Sequence, residues 1–201
     1  MADINEVIIE GKIVHKFVTP KIAILTIGTG EKGKERNHPK ILFFGDFISD
    51  IKSNYNVGDN VLVHGNIQSS KKRLDIENQN TVSIFGESIE KSKTDMEATF
   101  DIKNDNDHHF NYQNEIKIAG KLVRIDKQYD NLVRFKILTT KNDRISFINL
   151  VYYNNHADEI MKKFKKNDRV CILGCVQTIK KEINGKTHHF ENYVVKDIAL
   201  L

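Results

Sequence analysis

The sequence has little of several residue types that define particular protein classes. Among its 201 residues it has no tryptophan, two prolines and two cysteines, which excludes a proline-rich or disulfide-framework protein. No apolar run reaches the roughly 18 to 20 residues of a membrane-spanning helix, and no basic segment followed by an apolar stretch opens the chain. With 39% hydrophobic and 29% charged residues, the composition predicts a soluble, cytosolic, globular protein stabilised by apolar burial.

Charge is distributed unevenly along the chain. The net charge is only +4, but residues 1–90 carry 11 Lys and Arg against 12 Asp and Glu, whereas residues 114–201 carry 17 against 10. A basic C-terminal part favours a polyanionic partner such as nucleic acid. A lysine-rich surface that serves only solubility is the alternative.

The chain contains an internal repeat. A shift of 109 residues aligns residues 5–14 (NEVIIEGKIV) with 114–123 (NEIKIAGKLV). It gives 15 identities over 85 aligned positions, against about six for ordinary composition, and many fall on glycines and apolar positions. We therefore expect two copies of one domain, at residues 1–90 and 114–201, joined by a polar, acidic linker at residues 91–113.

Hydrophobic patterning within each copy predicts mainly β-strands and one short helix. Apolar residues recur at helical spacing around Ile51 in the first copy and Ile160 in the second, between the third and fourth strands. Five short strands with a helix at this point match the element order of an OB fold. The sequence thus predicts an all-β chain of two tandem five-stranded OB-fold barrels. The predicted strands include residues 7–14, 41–44, 61–68, 82–89, 132–138, 145–153, 170–178 and 191–198.

One strand of the second copy has a cationic face. Val133, Phe135 and Ile137 alternate there with Arg134 and Lys136. Because successive side chains of a strand point to opposite faces, the apolar set predicts a buried face and the basic set an open one.

The second copy resembles the bacterial-type single-stranded DNA-binding proteins, in a tandem OB-fold version. The resemblance covers almost all of residues 114–201 and, more loosely, residues 1–90. It implies binding of single-stranded DNA without sequence preference. It rests on an ordered series of motifs: NEIKIAGKL at 114–122, YNNHADE at 153–159, VCILG at 170–174, QT at 177–178, NGK at 184–186 and YVV at 193–195.

The resemblance implies two rings on the third strand, six residues apart, on which unpaired bases stack. The matching positions are Phe147 and Tyr153 in the second copy and His38 and Phe44 in the first. An even spacing puts both members of a pair on one strand face, and each stacked base contributes roughly 1 to 3 kcal/mol. The alternative, in which these rings pack in the core, would turn Ile148 towards solvent.

Lysines occupy the hairpin segment in which the family carries a further aromatic residue. This departure lowers the contribution to binding that we expect from stacking and raises the contribution from phosphate contacts. The energy of those contacts comes from counterion release and weakens with salt. Each of these basic side chains could instead serve solubility. The glycine-rich loop at residues 28–36 lies where the family has a mobile loop that embraces DNA; a flexible hairpin with no partner is the alternative. The candidates for phosphate contact are Arg134, Lys136, Lys141, Arg144, Lys180, Lys181 and Lys186 in the second copy and Lys71 and Lys72 in the first.

No segment carries a recognisable catalytic, metal-binding or cofactor-binding pattern. Neither GxxxxGK[ST] nor GxGxxG follows a strand and opens a helix. Cys171 and Cys175 lie four apart within a predicted strand, which favours small packing residues over metal ligands. We therefore expect no enzymatic activity, no metal and no cofactor.

The expected partners are single-stranded DNA and a second copy of the chain, since family members present four OB folds per assembly; no membrane is expected. Residues 197–201 follow directly on the last predicted strand instead of forming an acidic tail, so tail-mediated recruitment of replication proteins is not expected. The implied setting is DNA replication, repair or transfer of a mobile element. Two alternatives stay open: an OB-fold scaffold of a replication or conjugation complex, and a single-stranded RNA binder.

Overall fold

The computed structural model describes residues 2–30, 37–71, 80–92, 113–153, 155, 157–183 and 185–201. Residues 31–36 of the glycine-rich loop, Lys72 and most of the predicted linker lie outside this part of the chain. The described residues are mainly β, as predicted. The elements are β1 (Ile4–Val18), β2 (Ala23–Gly28), β3 (Lys40–Phe43), α1 (Phe47–Asn54), β4 (Asn60–Lys71), β5 (Asn80–Lys91), β6 (Asn114–Tyr129), β7 (Leu132–Lys141), β8 (Arg144–Tyr153), α2 (Ala157–Lys163), β9 (Arg169–Ile183) and β10 (Lys186–Leu200).

The first five strands form a closed barrel. β1 pairs antiparallel with β2 and β4, β2 with β3, and β4 with β5, and a parallel pairing of β3 with β5 closes the ring. With α1 between β3 and β4, this order is consistent with an OB fold. The sequence pattern had not marked β2, which follows a short turn closed by a hydrogen bond from the Thr19 N–H to the Ile22 carbonyl.

β1 is longer than predicted because it belongs to two sides of the barrel. Its first part pairs with β4 and its second part with β2, and the change of partner occurs at Gly11 and Lys12. A Cβ on Gly11 would lie 2.3 Å from the carbonyl oxygen of Gly28. Only glycine therefore allows the backbones to approach this closely at the bend.

The last five strands repeat these pairings. β6 pairs with β7 and β9, β7 with β8, β9 with β10, and β8 with β10 in parallel. Individual contacts recur at the repeat distance. The Asn5 side-chain amide donates to the backbone oxygen of Ile67 at 2.7 Å and accepts from its N–H at 2.9 Å. Asn114 makes the same two bonds to Val176, at 2.8 and 2.9 Å. The internal repeat thus extends to hydrogen bonds made by side chains.

An antiparallel pairing of β1 with β6 joins the two halves, defined here as the described residues up to 92 and from 113. Val7 pairs with Ile116, its own counterpart in the repeat, while Asn5 pairs with Ile118 and Ile9 with Asn114. The register is therefore symmetric about Val7 and Ile116, and a local pseudo-twofold axis passes between them. Contacts between the halves should accordingly occur in equivalent pairs.

The predicted alternation on β7 is confirmed. Val133, Phe135 and Ile137 are at most 1% exposed. On the opposite face Arg134 is exposed and Lys136 is half-buried. β7 thus contributes an apolar face to the core and a basic face to the surface.

Both helices lie where the apolar spacing predicted them, after the third strand of each half. The carboxyl end of α1 is capped by Lys16, whose ammonium group donates to the carbonyl oxygens of Ile51, Lys52 and Tyr55. These interactions satisfy carbonyls that a helix end leaves without partners. Within the described residues, neither helix has the length and hydrophobicity needed to cross a membrane.

The paired hydrogen bonds of Asn5 and Asn114 provide a test of this architecture. Asn5→Ala would leave the backbone N–H and carbonyl of Ile67 without their partner, and Asn114→Ala would do the same at Val176. Each substitution should lower the free energy of unfolding by about 1–3 kcal/mol, measured by urea denaturation. Asn131→Ala, in the exposed turn before β7, is the control and should stay within about 0.5 kcal/mol. Equal effects of all three variants would contradict a stabilising role of these side-chain hydrogen bonds.

Candidate nucleic-acid interface

A groove of about 490 Å³ crosses the open face of the second half. Residues of β6, β7, β8 and β10 line it, and Val82 of β5 reaches it from the first half. We call it the second-half groove. The polar side chains that line it include Arg124, Asp126, Arg134, Lys136, Asn149 and Glu191.

Phe147 and Tyr153 project from the side of β8 that faces away from the core. Ile148 and Leu150 of the same strand are 0% and 1% exposed, whereas Tyr153 is 50% exposed and Phe147 is partly exposed. The alternative of a core position for these rings is therefore wrong. The Lys136 ammonium group lies 5.4 Å from the centre of the Phe147 ring, within the range of a cation–π contact. A ring beside an ammonium group can offer a face to a base and a charge to the adjoining phosphate.

Glu191 introduces a carboxylate into this basic groove. Its Oε1 accepts a hydrogen bond of 2.6 Å from the backbone N–H of Lys40, in the first half. Burial raises the pKa of Glu191, and the hydrogen bond from Lys40 opposes that rise. Burial also raises the pKa of the neighbouring Tyr193, with the Glu191 carboxylate adding to the effect. The sequence analysis had not named either residue as a candidate site residue.

The β9–β10 hairpin carries an aromatic residue that the sequence analysis missed. Phe190 is 42% exposed, and the Lys181 ammonium group lies 6.0 Å from its ring centre. Phe190 pairs with Ile179, next to Lys180, which is exposed. Counting back across the Asn-Gly turn at 184–185 would have placed Phe190 opposite Ile179 and diagonally beside Lys181 on the same strand face. The side chain of Lys186 lies outside the described part of the structure.

A second cavity, of about 360 Å³, lies where the two halves meet. We call it the junction cavity. Phe44, just beyond the end of β3, stacks there on Phe85 with ring centres 5.5 Å apart and planes 18° apart. Lys141 and Arg144, which flank the β7–β8 turn of the second half, line the same cavity. The structure thus brings together three predicted residues from different halves, and it adds Phe85.

Lys141 is not available as a simple phosphate contact. Its ammonium group lies 2.7 Å from Oε2 of Glu87 and also donates to the backbone oxygen of Asn5. Arg144 donates a 2.9 Å hydrogen bond to the side-chain oxygen of Gln68, which uses one of its five N–H groups. Arg144 therefore retains donors for another partner, whereas Lys141 is paired with a carboxylate.

His38 and Phe147 occupy equivalent positions at the contact between the halves. The backbone N–H of His38 donates to the Thr178 hydroxyl at 2.9 Å, and that of Phe147 donates to the Ser69 hydroxyl at 3.0 Å. His38 is half-buried. Of Lys71 only the backbone is described, at the end of β4, and Lys72 lies outside the described residues.

No arrangement in the described part of the chain suits a metal ion, since no group of three or more His, Cys, Asp or Glu side chains converges there. Cys171 and Cys175 lie on one face of β9 as partly buried thiols that form no disulfide. Both findings concern only the residues that the structure describes.

Comparison with solved structures relates the whole chain to one architecture. The wild-type single-stranded DNA-binding protein from Thermus aquaticus matches with a TM-score of 0.69 and 17% identity, over 100% of this chain and 94% of that chain. A deletion mutant of the same protein matches with a TM-score of 0.70 and 16% identity, over 100% and 95%. A Plasmodium falciparum single-stranded DNA-binding protein in complex with single-stranded DNA matches over 44% of this chain, with a TM-score of 0.36.

The matches to the T. aquaticus structures establish the fold of the chain. The resemblance to single-stranded DNA-binding proteins that the motifs indicated is confirmed at the level of the fold, because the T. aquaticus structures align along the full chain. No protein-family model matches the sequence, and no curated protein matches it either.

The raised pKa of Glu191 predicts a specific pH dependence. Folding favours its protonated form, so the free energy of unfolding should fall as pH rises from the ordinary value of 4.5 through the raised pKa. Glu191→Gln keeps an oxygen for the Lys40 N–H and removes this titration. Its stability relative to the wild type should therefore improve as pH rises through that window, as measured by urea unfolding at several pH values. Glu115→Gln on β6 is the control, and a constant difference for Glu191→Gln would refute the assignment.

Proposed function

We propose that this protein binds single-stranded DNA without sequence preference, through bases stacked on exposed rings and phosphates held by lysine and arginine. The observation that carries the proposal is the position of Phe147 and Tyr153. Both rings lie on the solvent side of β8, and Phe147 lies beside the ammonium group of Lys136. Accessible rings on a strand face with basic side chains beside them meet the physical requirement for binding unpaired bases. The full-length fold likeness to the T. aquaticus single-stranded DNA-binding protein supports it.

The proposal includes a tandem domain organisation. We infer two OB barrels, at residues 1–90 and 114–201, joined by residues 91–113. The repeated strand pairings support this division, and so do the equivalent side-chain hydrogen bonds of Asn5 and Asn114. The proposed setting is DNA replication, repair or transfer of a mobile element, in the cytoplasm and without enzymatic activity. Assembly of two chains into a homodimer is a proposal drawn from the family resemblance.

A titration with three kinds of nucleic acid tests the function directly. Poly(dT), poly(U) and duplex DNA are added at several salt concentrations, with tyrosine fluorescence as the signal. We expect binding to poly(dT) that weakens steeply with salt, because phosphate contacts release counterions, and little binding to the duplex. An equal response to poly(U) would indicate a general single-strand binder. No response to any of the three would contradict the proposal and favour the protein-interaction scaffold.

The two rings of β8 provide the sharper test. Phe147→Ala combined with Tyr153→Ala should weaken binding of a labelled dT oligonucleotide roughly thirtyfold or more, because each lost stacking contact costs about 1–3 kcal/mol. Fluorescence anisotropy measures the affinity.

The matched control exchanges the two rings without removing them. Phe147→Tyr combined with Tyr153→Phe preserves both stacking faces and should bind like the wild type. Unchanged affinity of the double alanine variant would eliminate this site.

A further inference from the structure

The junction cavity combines two kinds of group that neither half supplies alone. The first half contributes the stacked rings of Phe44 and Phe85, and Phe44 remains 44% exposed. The second half contributes Lys141 and Arg144 from both sides of the β7–β8 turn. At about 360 Å³, the cavity falls within the range of about 300–1,000 Å³ that is usual for small-molecule sites.

The β7–β8 turn holds its basic side chains against the first half through several contacts. Lys141 pairs with Glu87 at 2.7 Å, and Arg144 donates to Gln68 at 2.9 Å. The turn itself is tight, with Asn142 and Asp143 both at positive φ, as in the two-residue turns that connect hairpin strands. The cations therefore have defined positions beside the rings.

A buried polar atom in the same cavity lacks a partner. The Asn66 side chain donates to Oε1 of Glu87 at 2.7 Å, but its own oxygen is buried and accepts no hydrogen bond within the described part of the chain. A buried acceptor without a donor is uncommon in folded proteins and requires an explanation. Asn66 lines the cavity, so a turn of its amide towards a bound nucleobase would let an N–H group of that base supply the missing donor.

We infer that the junction cavity is a composite nucleotide site, in which a base of a single strand stacks on the Phe44–Phe85 pair while Arg144 of the other half holds its phosphate. This inference rests on the proposed function. Lys141 could hold a second phosphate, but the Glu87 carboxylate occupies the place of that phosphate because it pairs with the Lys141 ammonium group. A strand bound here contacts both halves at once and competes with Glu87 for Lys141.

Opposite charge changes at this cavity should have opposite effects. Arg144→Gln should weaken binding of a dT oligonucleotide and reduce the slope of log affinity against log salt by about 0.7, which is the value for one phosphate contact on a single strand. Glu87→Gln should instead raise the affinity and steepen the slope by about the same amount, because Lys141 is released. Anisotropy titrations at four or more salt concentrations measure both.

Two controls carry the same charge changes at positions that line neither cavity. Lys162→Gln on α2 matches the loss of a positive charge, and Glu90→Gln on β5 matches the loss of a negative one. Both should bind nearly as the wild type does. Arg144→Gln and Glu87→Gln behaving like these controls would overturn the inference, while wild-type binding of dT would leave the proposed function intact. Absence of wild-type binding would overturn both.

A double-mutant cycle tests whether one nucleotide spans the two halves. Phe44→Leu alone should weaken binding roughly tenfold through lost stacking. Because Phe44 and Arg144 hold the same nucleotide, Phe44→Leu combined with Arg144→Gln should cost less than the product of the two single effects. Phe85→Leu should repeat the pattern, with thermal unfolding used to verify that each variant is folded. Independent effects would show that the rings and Arg144 do not share a ligand.

Discussion

The antiparallel pairing of β1 with β6 is the contact on which the remaining architecture depends. Its register centres on Val7 and Ile116, which are repeat counterparts, and this symmetry places equivalent backbone positions of the two halves against each other. The hydrogen bond from Phe147 to Ser69 has its equivalent from His38 to Thr178. A shift of one residue in this pairing would turn the buried face of one of the two strands outward. The pairing therefore fixes where the third strand of each half meets the other half.

The charges at the candidate interface are more balanced than the composition of the second half indicates. Lys141 is paired with Glu87, and Arg124 lies 2.5 Å from Asp126 in the second-half groove. Glu191 adds a third carboxylate, whose raised pKa reflects burial. A polyanion bound here would have to compete with these carboxylates. Such competition makes binding depend on salt through rearrangement of existing pairs as well as through counterion release.

Local sequence patterns predicted the elements and the orientation of individual strands. The apolar pair Ile148 and Leu150 identified the buried side of β8, because alternation along a strand is a local property. The partners of Lys141 and Arg144 were beyond such reasoning, since both lie in the other half and depend on the register between β1 and β6. Phe85 was missed because its role depends on Phe44, with which it is brought together by the parallel pairing of β3 and β5.

Substitutions at equivalent positions have given the two halves different candidate surfaces. The pair Phe44 and Phe85 corresponds in the repeat to Tyr153 and Val194, so the second half lacks the stacked rings of the first. At the other ring position the relation is reversed: Phe147 lies beside Lys136, whereas its counterpart is a half-buried histidine. One half thus offers a stacked ring pair whose cations come from the other half, and the second offers a ring with its own ammonium group. The surfaces differ although the backbone topology repeats, because strand pairing depends on buried apolar positions and leaves the outward positions free to vary.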